Sequence, residues 1–161
     1  MLAKIKTVPE LRHLLAILRA AGGKVVFTNG CFDILHTGHT RYLEKSRSFG
    51  DVLVVAVNSD ASVRMIKGEK RPINSEAERM ETLAALECVD FVTLFNEPDP
   101  YRIISELQPD VLAKGGDWPI EKIIGRDVVE ARGGKVVNVP YIEGASTTGI
   151  IKKIVELYSK G

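Results

Sequence analysis

Cysteine is nearly missing from this chain. The two that occur, Cys31 and Cys88, stand far apart and in neither a C-x-x-C pair nor a zinc-ligand spacing. That argues against a disulfide framework and a cysteine-based metal site, and both are expected as free thiols. An excess of charge of one sign is missing too. The 22 Lys and Arg residues nearly balance 21 Asp and Glu, for a formal net charge of +1, so the bulk charge indicates neither a nucleic-acid nor a membrane partner. Long apolar runs are absent. The longest, such as residues 52–57, are strand-sized and fall far below the roughly 20 residues that a membrane helix needs. Residues 1–7 carry two lysines but no apolar run and no small-residue cleavage site, unlike a secretory signal, and the cytoplasm is the expected compartment.

What is present suits one ordinary domain. The chain has 161 residues, of which 45% are apolar and 27% charged, enough to bury a core without staples. Thr7 and Glu10 have capping-box spacing, Pro9 suits a first helical turn, and Gly22-Gly23 closes the periodic apolar segment. A leading helix is therefore expected over about residues 8–21. A catalytic α/β core over about residues 24–158 follows it. Strands are expected at residues 25–28, 52–57, 91–95, 111–113 and 136–139. Helices are expected at about 38–49, 75–86, 100–107, 123–131 and 146–158. Residues 52–57 are β-branched and almost continuously apolar, as in a central parallel strand covered on both faces. Five strands alternating with helices predict a single Rossmann-like α/β domain, a five-stranded parallel sheet with helices on both faces. Ligands on such sheets sit at the carboxyl ends of strands, so chemistry is sought in the loops there. Residues 67–73 read as a long, charged, mobile loop.

The loop after the first strand contains His36-Thr37-Gly38-His39 at a helix start. Two histidines three apart project from one face, and Gly38 lets another group approach the backbone. Free N-H groups at that helix end suit a phosphate. The same spacing also fits a cap with a core contact, or a metal pair. A metal pair has no third or fourth ligand nearby, since the remaining histidine, His13, lies in the leading helix. Neither G-x-x-x-x-G-K-[ST] nor a G-x-G-x-x-G after the first strand occurs, so P-loop kinases and dinucleotide oxidoreductases lose support.

The full string Gly30-Cys31-Phe32-Asp33-Ile34-Leu35-His36-Thr37-Gly38-His39 resembles the GxFDxxHxGH hallmark of cytidylyltransferase-type nucleotidyltransferases. A second mark of that superfamily is a Ser/Thr-rich turn opening the last helix, matched by Glu143-Gly144-Ala145-Ser146-Thr147-Thr148; by itself such a turn is also an ordinary N-cap. In glycerol-phosphate cytidylyltransferases an arginine precedes this turn, where Tyr141 stands here, which argues against that acceptor. The third is a lysine-bearing loop, Lys67-Gly68-Glu69-Lys70-Arg71-Pro72-Ile73-Asn74, followed by the Glu78-Arg79 pair; a solvated loop and an exposed helical salt bridge are the plainer readings. The fourth is Lys114-Gly115-Gly116-Asp117-Trp118, in which Trp118 also suits simple packing. Within the superfamily the chain is most similar to adenylyltransferases acting on D-glycero-D-manno-heptose 1-phosphate. Leu83-Ala84-Ala85-Leu86-Glu87-Cys88-Val89-Asp90 is among the strings that carry this.

That resemblance implies AMP transfer from ATP to the sugar phosphate, with Mg²⁺ accompanying the ATP and no direct protein ligands to the metal. It implies His36, His39, Lys67, Lys70 and Arg79 as catalytic residues. It assigns Asn29, Gly30, Cys31, Phe32, Gly38, Lys114, Gly115, Asp117, Trp118, Ser146, Thr147 and Thr148 to the nucleotide. Asp33, Asn58, Lys114 and Tyr141 are assigned to the acceptor. Many relatives carry this domain behind a sugar kinase domain, so a separate kinase is expected to supply the substrate, and a homodimer is the expected assembly. A different acceptor or CTP, and a non-catalytic nucleotide sensor, are the competing functions. A class I tRNA synthetase fragment is disfavoured by length, by the missing K-M-S-K-S string and by the lack of a basic RNA-binding surface.

Overall fold

The computed structural model describes residues 1–116, 118–140 and 144–159. Its sheet has five parallel strands: β1 (Val25–Gly30), β2 (Val52–Asn58), β3 (Phe91–Phe95), β4 (Val111–Gly115) and β5 (Lys135–Val139). They lie in the order β3-β2-β1-β4-β5. The chain builds outward from β1 in one direction and then returns to β1's other side, so the order reverses between β1 and β4. That reversal is where an open α/β sheet presents a crevice.

The register sharpens this. β1 pairs with β2 along its whole length, from Val25↔Val52 to Gly30↔Val57, but with β4 only at Val26↔Val111 and Phe27↔Leu112. Beyond that point the hydroxyl of Tyr42 takes up the bonding: it accepts from Thr28 Oγ1 at 2.5 Å and donates to the Ala113 carbonyl at 3.1 Å. The carboxyl ends of β1 and β4 are thus bridged by a side chain rather than a ladder.

All seven residues of β2 are buried, and alternate ones serve opposite faces, as the two-residue period of a strand requires. Leu53, Val55 and Val57 join Val26, Leu43 and Leu83 on one side, while Val54 and Ala56 join Leu11, Leu15, Phe27, Ile103 and Ile104 on the other. Helices α2 (Thr37–Arg47) and α4 (Glu76–Ala84) supply the first layer; α1 (Val8–Ala20) and α5 (Tyr101–Leu107) supply the second. Each fully buried Leu or Ile side chain contributes about 1.5–3 kcal/mol.

The capping box expected at Thr7 and Glu10 is formed, and a second joins Ser75 to Glu78 at the start of α4. Several elements differ from expectation. An α3 (Asp60–Lys67), capped by Ser59, occupies residues where no helix is expected, so Lys67 ends a helix rather than opening a loop. The helix expected over 123–131 is the shorter α6 (Arg126–Glu130), preceded by a 3-10 turn at Ile120–Lys122. β1 and β4 run two residues further than their apolar runs, into the glycines at which each meets its loop. The last helix, α7 (Thr147–Tyr158), buries none of its described residues. Among the described residues no helix is long and apolar enough to cross a membrane.

Candidate active site

Both phosphate-type turns converge on the switch point. His36 caps α2 in an extended conformation, and Ser146 caps α7, its hydroxyl accepting from Gly149 N. Thr147 Oγ1 donates to the Ile34 carbonyl at 3.2 Å, tying α7 to the β1-α2 loop. At Gly38 a Cβ would lie 2.9 Å from His36 Nδ1 and Cε1 and 3.1 Å from the Ala145 Cβ. Glycine is therefore required there by close approach. Two helix N-termini, each with a partial positive charge, stand side by side as a result.

The histidine rings stack, with centroids 3.8 Å apart and planes 23° from parallel, and Phe32 meets His39 edge-on at 5.3 Å. Phe32 is buried and adopts a left-handed φ of 47°, a conformation costing a non-glycine residue roughly 1–2 kcal/mol. Strain of that kind concentrates at functional sites. Its ring lies over Gly30, where a Cβ would come within 3.0 Å of it. Burial pushes the His39 pKa down to about 4, with the His36 ring adding to the shift, and burial lowers His36 as well. Both rings are therefore neutral at neutral pH. Among the described residues their buried Nδ1 atoms have no hydrogen-bond partner, an expensive arrangement in a finished interior. No described residue sets the tautomer through Nδ1, which leaves a ligand free to set it.

Across the crevice, Lys114 from β4 extends Nζ to within 3.4 Å of Asn29 Oδ1 on β1. Burial lowers its pKa, and the nearby Cys31 opposes the shift. Among the described residues this half-buried ammonium faces an amide and no carboxylate, which suits an anion. Cys31 itself is half-buried, and burial raises its thiol pKa although the charges of Lys67, Arg79 and Arg71 all reach it. Gly115 ends β4, and Gly116 N donates to the Val139 carbonyl. Trp118 is 54% exposed, and its carbonyl accepts from Asn138 Nδ2. Ser146 and Thr148 are exposed, as are Lys67 and Lys70. Asp117 and Tyr141 lie outside the described residues.

Three residues assigned to ligands from the sequence are turned inward. Arg79 is 1% exposed. Its guanidinium donates to the Asn74 carbonyl at 3.1 Å, the Cys31 carbonyl at 2.6 Å and Asp60 Oδ1 at 2.8 Å, so it is neither a surface salt bridge nor open to polyphosphate. A buried charge lacking such partners costs several kcal/mol. Glu78 beside it serves the α4 cap. Asp33, 2% exposed, spends its carboxylate on Arg71 Nε and on the backbone N-H groups of Ile73 and Asn74; these bonds hold its pKa down against the opposing effect of burial, the largest single influence on it. Asn58, also buried, donates to Ser62 Oγ at 2.9 Å.

Arg71, Asn74 and Asp60 are the contributors that sequence reasoning passed over. Arg71 and Asn74 lay within the quoted lysine loop, but only the inward turn of Asp33 reveals their use. Among the described residues no group of three or more His, Cys, Asp or Glu side chains is placed to hold a metal ion. A surface groove of about 520 Å³, lined by Thr40, Glu44, Arg47 and Cys88 among others, contains none of the candidate catalytic or ligand-binding side chains. Concavity does not mark the site; the unpaired imidazoles and the ammonium do.

Comparison with known proteins gives the chain's family and fold. A family model described as cytidylyltransferase-like matches residues 27–153. The bifunctional protein HldE of Citrifermentans bemidjiense is 54% identical over 97% of this chain, and that of Geobacter metallireducens 54% over 98%. The chain spans about a third of the length of these relatives, 32% in each. Among solved structures, a lipopolysaccharide core biosynthesis protein from Thermoplasma volcanium is 32% identical with a TM-score of 0.61, covering 77% of this chain and 100% of its own. Pantoate-beta-alanine ligase from Francisella tularensis, 16% identical with a TM-score of 0.60 over 98% of this chain and 79% of its own, shares the fold alone.

Proposed function

The chain belongs to the cytidylyltransferase-like family, and on that premise we propose that it transfers AMP from ATP to D-glycero-D-manno-heptose 1-phosphate, releasing pyrophosphate and forming an ADP-heptose. The observation that carries the transfer is the pair of stacked, neutral histidines with buried unpaired Nδ1 atoms, set where two helix N-termini meet. The acceptor rests on the similarity of the Lys67-to-Asn74, Leu83-to-Asp90 and Lys114-to-Asp117 strings to heptose-phosphate adenylyltransferases.

A phosphate monoester has a second pKa near 6 and reaches the site largely dianionic at neutral pH. Its oxygen attacks the α-phosphorus in line with the departing pyrophosphate, so one P-O bond forms as another breaks, and no general base is needed. The protein's work is then positioning and charge stabilisation. His36 and His39 each donate a single N-H to the α-phosphate and bridging oxygen, where negative charge accumulates. Lys67 and Lys70 meet the leaving polyphosphate. Ser146, Thr147 and Thr148 at the start of α7 receive its far end, and Lys114 serves as the cation for the incoming sugar phosphate. Asn29, Gly30, Cys31 and Phe32 shape the wall against the nucleotide, with Gly115 and Trp118 opposite. Among the described residues, the motif's carboxylate Asp33 is already committed within the chain. Mg²⁺ would accordingly enter with the ATP, held chiefly by the nucleotide, and would supply charge neutralisation on the phosphates. In this reading a sugar kinase activity supplies the acceptor, and the enzyme works in the cytoplasm as a homodimer.

Pyrophosphate release measured with ATP or CTP against a panel of phosphorylated sugars, polyols and amino alcohols tests the proposal. Turnover with ATP and the heptose phosphate is expected. Activity with CTP alone refutes it, and tight ATP binding with no turnover on any acceptor favours a nucleotide sensor.

A further inference from the structure

The lysine loop is held at one end by two buried charges. Asp33, within the histidine motif, accepts from Arg71 Nε at 2.5 Å, from Ile73 N at 2.8 and 2.9 Å on its two oxygens, and from Asn74 N at 2.9 Å. Asn74 Nδ2 returns the contact to the Asp33 carbonyl at 2.7 Å. From behind, Arg79 grips the Asn74 and Cys31 carbonyls together and is itself held by Asp60 of α3. Each of these bonds to Asp33 or Cys31 leads from residues 71–74 or Arg79 to the loop that carries His36 and His39. Residues 67–70 are all exposed. Gly68 takes a φ of 95°, a hinge conformation that glycine adopts without steric cost, and the Arg71 N-H closes a turn onto its carbonyl at 3.0 Å.

We infer that Asp33 and Arg79 are positioning residues that fasten the downstream half of the lysine loop to the histidine motif. Lys70 consequently swings on a short tether that limits its distance from the histidines. One peptide unit, about 3.8 Å between Cα atoms, separates Lys70 from the anchored Arg71. The moving span shrinks to residues 68–70, between the end of α3 and the anchor. Both anchors are neutral pairs, Asp33 with Arg71 and Arg79 with Asp60. They supply geometry, and Lys67 and Lys70 supply the charge. Asp33 accordingly acts through Lys70 and does not touch the acceptor. This inference rests on the transfer reading for its kinetic consequences only.

A double-mutant cycle on the full chain tests it, with Asp33→Asn, Lys70→Ala and the double variant assayed for ATP-dependent pyrophosphate release. Amide exchange at Ile73 and Asn74 is followed without substrate. Asp33→Asn is expected to lower kcat about tenfold with the acceptor KM within about twofold, and Lys70→Ala, costing about tenfold alone, should cost under about twofold in the Asp33→Asn background. Exchange at Ile73 and Asn74 should accelerate about tenfold or more. Additive kinetic effects, a rise confined to the acceptor KM, or unchanged exchange would each overturn the inference. Should Asp33→Asn fail to fold, Arg71→Gln takes its place, with partial recovery expected in Arg71→Lys and none if the contact is immaterial. A wild-type chain that releases no pyrophosphate would sink the transfer reading, while the exchange measurement would still decide the tether.

Discussion

The two ends of the proposed triphosphate track are built in opposite ways. At the α-phosphate end, His36 and His39 stack against each other, Phe32 closes over Gly30 and the polar atoms are buried before any ligand arrives. At the far end, Lys67, Lys70, Ser146 and Thr148 are exposed, and α7 buries none of its described residues. The difference follows from what each end has to do. Charge develops at the α-phosphorus in the transition state, where a donor that needs no reorganisation is worth most. The leaving pyrophosphate has to enter and depart, and cations that close over it and release it suit that end. A rigid end therefore bears on the chemical step and an open end on binding and exit.

The comparison breaks most readily at the histidines. His39→Ala should lower kcat by about a hundredfold or more while leaving the ATP KM within a few-fold; steady-state kinetics showing equal losses in both would mean that the ring binds ground-state ATP instead. Gly38→Ala is the next largest. The added Cβ meets His36 and Ala145, and the cost is expected at about 1–3 kcal/mol of stability, with turnover lost before the fold melts. Thermal unfolding read beside activity separates the two, and wild-type behaviour in both would remove the close approach from the account. Lys67→Ala should raise the ATP KM more than it lowers kcat, by about tenfold. That effect should shrink as salt is added, because the side chain is exposed; salt-independent loss would place it at the rigid end.

The smallest effect is thermodynamic. His39 is held neutral, its folded pKa of about 4 lying below the ordinary 6.5. The unfolded chain therefore binds the extra proton first as pH falls. Its contribution to stability is complete above about pH 6.5 and is lost progressively as the pH drops toward 4. Denaturant midpoints measured across that window should fall less steeply in His39→Gln than in wild type, and parallel profiles would contradict the burial of that ring. Addition of an ATP analogue should raise the His39 pKa, read from its NMR titration, since the phosphate favours the protonated ring.

Much of this was legible without coordinates, and the residues show why. Residues 52–57 read as a doubly covered strand because their unbroken apolarity leaves no face for water, and β2 is buried throughout. The histidine motif and the Ser-Thr-Thr turn read as one site because parallel α/β topology sends both to the same edge, and Thr147 bonds to the Ile34 carbonyl there. α3 escaped because eight residues with a single capping serine make too short a period to stand out. The direction of Arg79 escaped for another reason. A Glu-Arg pair at a helix start looks the same whether the arginine faces solvent or is buried, and the choice is made by the Cys31 and Asn74 carbonyls and the Asp60 carboxylate, which come from three different segments. Asp33 is the same case. Its motif is local, but its partners lie about forty residues on, at Arg71 to Asn74.

The most direct measurement of the central claim follows an oxygen atom. Heptose 1-phosphate labelled with oxygen-18 in its non-bridging phosphate oxygens is incubated with ATP, Mg²⁺ and the protein, and the products are separated and weighed by mass spectrometry. Attack by the sugar phosphate on the α-phosphorus, at the histidine end, predicts an ADP-heptose that keeps the full label and pyrophosphate that carries none. Label in the pyrophosphate, or release of AMP in place of a nucleotide sugar, would contradict the account.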